Sequence, residues 1–249
     1  MARMKFMNTE IDNLTMQETL QAIDQLIQAN KSAYVVTPNV DHIVQLETNK
    51  ELQAVYKNAS LILTDGKPLL WIANWYGTPI KEKISGSDLF PLLCKMAAEK
   101  GYKMFFLGAA EGVAAKAAEN LMNRFKGLQV VGTYSPPFGF EKDPVEMDKI
   151  KSMIKASGAD ILIVGLGCPK QEKFMYHHCA ELGVPISFGL GASFDFEAGN
   201  IKRAPRWMAD HGLEWLFRIT QDPKRMAKRY LVDDRKILDL AIKYRKGSN

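Results

Sequence analysis

A chain of 249 residues, 47% hydrophobic and 24% charged, has a globular composition and room for one large domain or a domain with an appendage. No apolar run approaches the roughly 18–20 residues of a membrane-spanning helix, and the opening "MARMKFMNTEID" turns polar too early for a secretory signal. Cys94, Cys168 and Cys179 form no Cys-x-x-Cys pair and only four histidines are present, so no zinc motif is expected and the chain reads as reduced and cytoplasmic.

Helical and strand patterns alternate from residue 15 onward. "TMQETLQAIDQLIQAN" opens with Thr15 and Glu18 at capping-box spacing and repeats Leu20, Ile23 and Ile27 at helical period. "SAYVVTPN" is a short β-branched strand stopped by a proline, and "DHIVQLETNKELQAVYKNA" a helix or a broken pair. The strand "SLILT" leads into helical "KPLLWIANWYG". Helix "GSDLFPLLCKMAAEKG", strand "KMFFLGAA", helix "EGVAAKAAENLMNRF" and strand "LQVVGTY" follow. Helix "DPVEMDKIKSMIKASG", with Pro144 in its first turn, precedes strand "ADILIVGLG", helix "PKQEKFMYHHCAELG" and strand "VPISFGLG". Six apolar runs separated by amphipathic helices predict an α/β fold, a mostly parallel sheet covered on both faces. After "FDFEAGNIKRAPRW" only helical patterns remain, which sets a boundary near residue 200 between a sheet domain (1–200) and a helical appendage (201–249).

Charge divides at the same place. Residues 201–249 hold thirteen Lys/Arg against six Asp/Glu, a net +7, whereas residues 1–200 hold twenty against twenty-two, a net −2. A basic module on a nearly neutral body points to an anionic partner. Arg218, Arg225 and Arg229, seven and four apart, fall on one helical face unless Pro223 interrupts it. Trp215, Leu216 and Ile219 give an apolar counterpart, and Ile237, Leu240, Ala241 and Tyr244 a second stripe. Two readings are open: helices lying on an anionic membrane, or helices packed on the sheet domain with solvated basic edges.

Ligands of open parallel sheets bind outside the carboxyl ends of the strands. Three such ends are unusually polar: Thr37-Pro-Asn39, Thr64-Asp65-Gly66 and Gly165-Leu-Gly-Cys-Pro-Lys-Gln171. Asp65 is either a proton acceptor for a hydroxyl or the cap of the next helix, and local sequence favours the cap. Thr37 and Asn39 could hold sugar hydroxyls, though turn chemistry alone accounts for them. "GLGCPKQEKF" suits a phosphate at a helix start, with Gln171 able to read a base or sugar edge. Lys170 stands where a dinucleotide fingerprint would have its third glycine, which disfavours a nicotinamide or flavin enzyme. Asp195-Phe-Glu197 mimics spaced metal-binding acids, but a buried strand end with one hydrogen-bonded acid is the favoured explanation, and no metal is assigned.

Together these motifs resemble the TagA/WecG/CpsF family of bacterial glycosyltransferases. The matching residues are Thr37-Pro-Asn39, Thr64-Asp65-Gly66, "SGSDL" at 85–89, "FFLGAAEGVAAKAAENL" at 105–121, "ADILIVGLGCPKQEKF" at 159–174, "GASFDFEAG" at 191–199 and "RAPRWMADHGLEWLFRITQDPKRMAKRY" at 203–230. They span nearly the whole chain in order, and "TDGKPLLW" is similar to the teichoic-acid branch. The resemblance implies a Rossmann-like fold and metal-free, inverting transfer of N-acetylmannosamine from UDP to the 4-hydroxyl of N-acetylglucosamine on undecaprenyl diphosphate, with no cofactor. It makes Asp65 the catalytic base, Thr37, Asn39 and Gln171 donor or acceptor contacts, and Arg218 and Arg225 partners of the leaving diphosphate. Arg229 is a further substrate contact, with Lys228 where the family often has a second arginine. Lysine keeps the charge but loses the bidentate fork.

The expected partners are therefore a UDP-sugar donor, the lipid-diphosphate acceptor and an anionic membrane surface on the inner face of the cell membrane, reached through the appendage. Nucleic acid is not expected, and homo-oligomerisation is left open. Two alternatives stand beside this reading: transfer of N-acetylmannosaminuronic acid within the same family, and a nucleotide- or nucleic-acid-binding module using the basic tail.

Overall fold

A computed structural model describes residues 3–230 and 234–246, apart from the side chains of Arg206, Asp210, Arg225 and Lys246. Six parallel strands form the central sheet: β3 (Ala33–Val36), β4 (Leu61–Ile62), β5 (Lys103–Gly108), β6 (Gln129–Tyr134), β7 (Ile161–Gly165) and β8 (Ile186–Gly189). Their spatial order is β4-β3-β8-β7-β5-β6. All six strands read from the apolar runs are present.

The parallel arrangement follows from side chains that are apolar on both sides of each strand. Tyr34 and Val36 of β3 pack on one face with Phe105, Leu107, Leu162 and Val164, while Val35 faces the other with Met104, Phe106, Ile161 and Ile163. Period-2 alternation thus feeds two hydrophobic layers, each needing a cover of helices. On the Val35 side lie α1 (Met16–Ala29), α5 (Gly86–Lys100) and α6 (Val113–Arg124). The opposite face is covered by α2 (Val40–Leu46), α3 (Lys50–Asn58), α4 (Lys67–Trp75), α7 (Pro144–Ser157) and α8 (Lys170–Leu182). The capping box expected at Thr15 forms, with Thr15 Oγ1 accepting from Glu18 N and Glu18 Oε2 from Thr15 N.

The sequence pattern did not reveal an N-terminal hairpin, β1 (Arg3–Phe6) with β2 (Thr9–Asp12), which turns through Met7 at φ 51°. It guards the exposed edge of β4. Asp12 Oδ2 accepts the Ile62 amide at 2.8 Å and Arg3 donates to the Ser60 carbonyl at 2.9 Å, so main-chain groups at an open sheet edge find partners.

Beyond β8, "SFDFEA" forms a short helix, α9 (Ser193–Ala198), rather than a strand end. Glu197 pairs with Arg124 at 2.9 Å while Asp195 accepts from Asn200, so the two acids serve different neighbours. Among the described residues four α-helices follow: α10 (Arg206–Asp210), α11 (Glu214–Gln221), α12 (Pro223–Lys228) and α13 (Ile237–Lys246). Pro223 does separate α11 from α12. The stripe of Ile237, Leu240 and Ala241 on α13 is buried in the main core, and the Tyr76 hydroxyl donates to the Ala241 carbonyl at 2.7 Å. That part of the basic segment packs on the sheet domain.

Close approach at the carboxyl edge leaves no room for side chains at Gly108 (φ +109°), where an added Cβ would lie 2.4 Å from the Gly165 carbonyl oxygen. Gly108→Ala is expected to cost about 1–3 kcal/mol from combined backbone strain and overpacking, measured by denaturant unfolding. A neutral substitution would show that β5 and β7 can separate there.

Candidate active site

The strand order reverses at β3, whose neighbours are β4 on one side and β8 on the other, and the polar strand ends collect there. Such a switch point opens a crevice at the carboxyl edge of the sheet. Thr37, Asn39 and Asp65 lie on the turns leaving β3 and β4, and Gln171 in the first turn of α8, which follows β7.

Asp65 does not cap α4. The N-cap is Gly66, at φ 102°, and no side chain bonds the first-turn amides. The Asp65 amide donates to the Pro38 carbonyl at 2.8 Å, tying the two turns together, while its carboxylate has no hydrogen bond or ion pair among the described residues. Burial pushes its pKa up to about 6, reinforced by the negative charge of Glu214 and opposed by Lys83, Arg218 and His42. Such a carboxylate is ionised at neutral pH yet basic enough to take a proton.

Arg218 reaches this neighbourhood from α11. Its Nε lies 3.8 Å from Glu214 Oε1 and its guanidinium stands 5.3 Å from the centre of the Phe196 ring. Burial works against its charge, but Tyr230, Glu214 and Asp65 outweigh that and hold it firmly protonated. Lys83, before α5, pairs with Asp88 at 3.2 Å and approaches Glu214 at 4.0 Å. Neither Lys83 nor Glu214 stood out in the sequence, since a single charge beside a loop has no periodic or motif signature.

Arg229 touches Asn39. Its Nη2 donates to Asn39 Oδ1 at 3.1 Å and lies 3.7 Å from Asp41, and its Nε is 3.8 Å from Asp234. Asn39 is also the N-cap of α2, accepting from the His42 amide. The predicted trio is therefore spread over α11, α12 and the π-helical residues 229–230 that continue it: Arg218 electrostatically coupled to Asp65, Arg229 on Asn39, and Arg225, whose side chain lies outside the described residues.

Gln171 is buried, in space left by Gly189 and Gly191, where added Cβ atoms would fall 2.9 and 2.8 Å from its amide. Its Nε2 donates to Glu172 Oε1 at 2.8 Å, and its Oε1 has no partner among the described residues. Lys170 turns away to Glu141 at 2.6 Å. Thr37 is buried at the end of β3, and the nearby Thr64 hydroxyl is buried without a partner among the described residues. Unpartnered polar atoms at such an edge suit a hydroxylated ligand, because each is costly until a ligand satisfies it.

His42, Cys168 and Glu172 place a ring nitrogen, a thiol and a carboxylate oxygen within 4.8 Å of one another. Hydrogen bonding accounts for this cluster: His42 Nε2 meets Glu172 Oε1 at 3.3 Å, His42 Nδ1 meets Asn39 Oδ1 at 2.8 Å, and Gln45 donates to Cys168 at 3.5 Å. Burial alone would lower the His42 pKa, but Cys168 and Glu172 raise it well above the usual histidine value.

Comparison with known proteins shows the family. The Glycosyl transferase WecG/TagA/CpsF family matches residues 4–249. A protein of Bacillus spizizenii named N-acetylglucosaminyldiphosphoundecaprenol N-acetyl-beta-D-mannosaminyltransferase is 32% identical over 246 residues, covering 99% of this chain and 91% of the relative. A protein of Bacillus subtilis with the same name is 30% identical over 203 residues, 82% of this chain and 75% of its own.

Proposed function

Because the chain belongs to the WecG/TagA/CpsF family of glycosyltransferases, we propose that it transfers N-acetylmannosamine from UDP to the 4-hydroxyl of N-acetylglucosamine carried on undecaprenyl diphosphate. The observation that carries the mechanism is an Asp65 carboxylate that is uncapped and unpaired among the described residues and feels the positive charge of Arg218 from α11. The acceptor hydroxyl gives its proton to Asp65 as its oxygen bonds to the anomeric carbon. On the far side the bond to the diphosphate breaks, and the growing negative charge falls to the arginines. A single displacement turns an α-linked donor into the β-linked product, matching the linkage in the relatives' name. Thr37, Asn39, Gln171, Arg225 and Arg229 hold the two substrates in this scheme.

The test is a mass-resolved transfer assay with the purified chain, UDP-N-acetylmannosamine and a short lipid-diphosphate N-acetylglucosamine acceptor. One added N-acetylhexosamine on the acceptor is the expected product. Donor competition separates the uronic-acid alternative, and preferential turnover of UDP-N-acetylmannosaminuronic acid would replace our choice.

Among the described residues no helix is long and apolar enough to cross a membrane, so a lipid-borne acceptor requires the protein to meet the bilayer surface. Trp207, Trp215 and Leu216 are exposed on α10 and α11, within the +7 segment, and Trp71 is exposed on α4, where its ring packs against Gly212. We assign this face to the anionic membrane, with each basic residue near the surface adding about 1 kcal/mol. Trp207→Ser combined with Leu216→Ser is expected to reduce co-sedimentation with phosphatidylglycerol vesicles severalfold, with little change in melting temperature. Undiminished binding would move the membrane contact elsewhere. Surface substitutions are a cleaner probe than truncation after residue 200, because truncation also strips Ile237, Leu240 and Ala241 from the core.

A further inference from the structure

A line of hydrogen bonds crosses the carboxyl edge beneath the proposed substrate site. Gln171 Nε2 donates to Glu172 Oε1 at 2.8 Å, and the same oxygen meets His42 Nε2 at 3.3 Å. On the other side of the ring, His42 Nδ1 meets Asn39 Oδ1 at 2.8 Å, and that oxygen receives Arg229 Nη2 at 3.1 Å. The four links join α8, the start of α2 and the π-helical residues 229–230 that continue α12, positions that span residues 39–229.

From this geometry we infer that His42 is a positioning residue for the transfer reaction, fixing Gln171 through Glu172 and Arg229 through Asn39 in one registered unit. The assignment rests on the transferase reading above.

Chemistry makes the link directional. The Asn39 amide must present oxygen to the cluster, since its NH₂ would face two donors, Arg229 Nη2 and the His42 amide. Glu172 is an acceptor for Nε2–H, while Nδ1 lies between the Asn39 backbone N–H, which donates to it at 3.3 Å, and Asn39 Oδ1 at 2.8 Å, so the ring is held at both nitrogens. Burial leaves no water-exposed alternative: His42 and Glu172 are 5% and 1% exposed. A side chain unable to bond on both sides must abandon one neighbour, and either the Asn39–Arg229 contact or the Glu172–Gln171 contact loosens. Neither His42 nor Glu172 need touch substrate for this. A misplacement of about 1 Å at a substrate-holding group can cost on the order of 10²-fold.

The experiment is a double-mutant cycle with a second, activity-independent readout. His42→Gln, which retains a donor, and His42→Leu, which has none, are each combined with Arg229→Gln, and kcat and donor KM are measured for all. We expect His42→Leu to lower kcat roughly tenfold to a hundredfold, His42→Gln to recover part of the loss, and the double variants to be little worse than the poorer single. Losses that multiply would overturn the proposal, since His42 would then act independently of Arg229. In parallel, amide hydrogen exchange over residues 223–230 is expected to accelerate in His42→Leu, with core strands unchanged. Unchanged exchange in that segment would also overturn it. Because exchange is read without turnover, a wild-type chain that fails to transfer sugar would sink the transferase reading while leaving the positioning link separately measurable.

Discussion

Asp65→Asn is expected to lower kcat by roughly 10²–10⁴ while UDP-sugar affinity stays close to that of the wild type. Asparagine keeps the shape of the side chain but cannot accept the hydroxyl proton. The pH profile sharpens the expectation. With Asp65 pushed up to about 6, wild-type kcat/KM should fall tenfold per unit as pH drops below that value, because protonation removes the base. The residual activity of Asp65→Asn should lack this acid limb.

The same shift carries a stability consequence. Asp65 holds its proton more tightly in the folded chain than at its ordinary value of 3.8. The ionised form therefore destabilises the fold, with the full penalty present above about pH 6 and fading as pH falls from there towards 3.8. By linkage the cost at neutral pH is on the order of 1–3 kcal/mol. Asp65→Asn should consequently melt at a higher temperature than the wild type at pH 7 while losing turnover. Unchanged turnover would remove Asp65 as the base, whatever its effect on stability.

Arg218→Ala is expected to reduce kcat roughly 10²–10³-fold, the typical loss when one group stabilising developing negative charge is removed from a preorganised site. Arg218→Lys should recover only part of it, because a point charge replaces a planar fork. A further effect distinguishes this arginine from a general binding charge. Arg218 lowers the Asp65 pKa, so its removal should move the acid limb of the pH profile upward. A raised donor KM with unchanged kcat and an unmoved limb would mean uniform binding and no part in bond cleavage.

Much of this architecture was legible in the residues alone because the sheet is buried on both faces. Runs such as "ADILIVG" and "KMFFLG" satisfy two hydrophobic layers at once, and no solvated helix or loop would carry them. The Thr15–Glu18 capping box was equally explicit, since two side chains at fixed spacing satisfy two orphan amides. The hairpin at residues 3–12 was not. Its turn uses Met7 and Asn8 without glycine, and its value lies in covering β4, a long-range need that local pattern does not encode.

The site divides along similar lines. Asp65 read locally as a helix cap because aspartate favours that position, yet the helix starts on Gly66 and the carboxylate stays uncapped. Only family resemblance favoured the chemical role. Gln171 was picked out by its place after two glycines, but its burial between Gly189 and Gly191 depends on a strand that arrives later in the chain. His42 and Glu172 lie 130 residues apart and meet in the core, so neither carries a local signal. Of the two readings left open for the basic segment, packing on the sheet domain holds for α13, and the membrane reading remains our proposal. The α13 stripe is buried on the body, whereas Trp207 and Leu216 remain exposed for the membrane we propose.

The central claim is that Asp65 and Arg218 serve opposite ends of one sugar–phosphate bond. A structure of the chain with UDP bound tests it most directly. The account predicts a diphosphate oxygen within hydrogen-bonding distance of the Arg218 guanidinium, with the Asp65 carboxylate facing the space next to the β-phosphate that the sugar would fill. A diphosphate seated on other groups, with Asp65 turned away from that space, would contradict it.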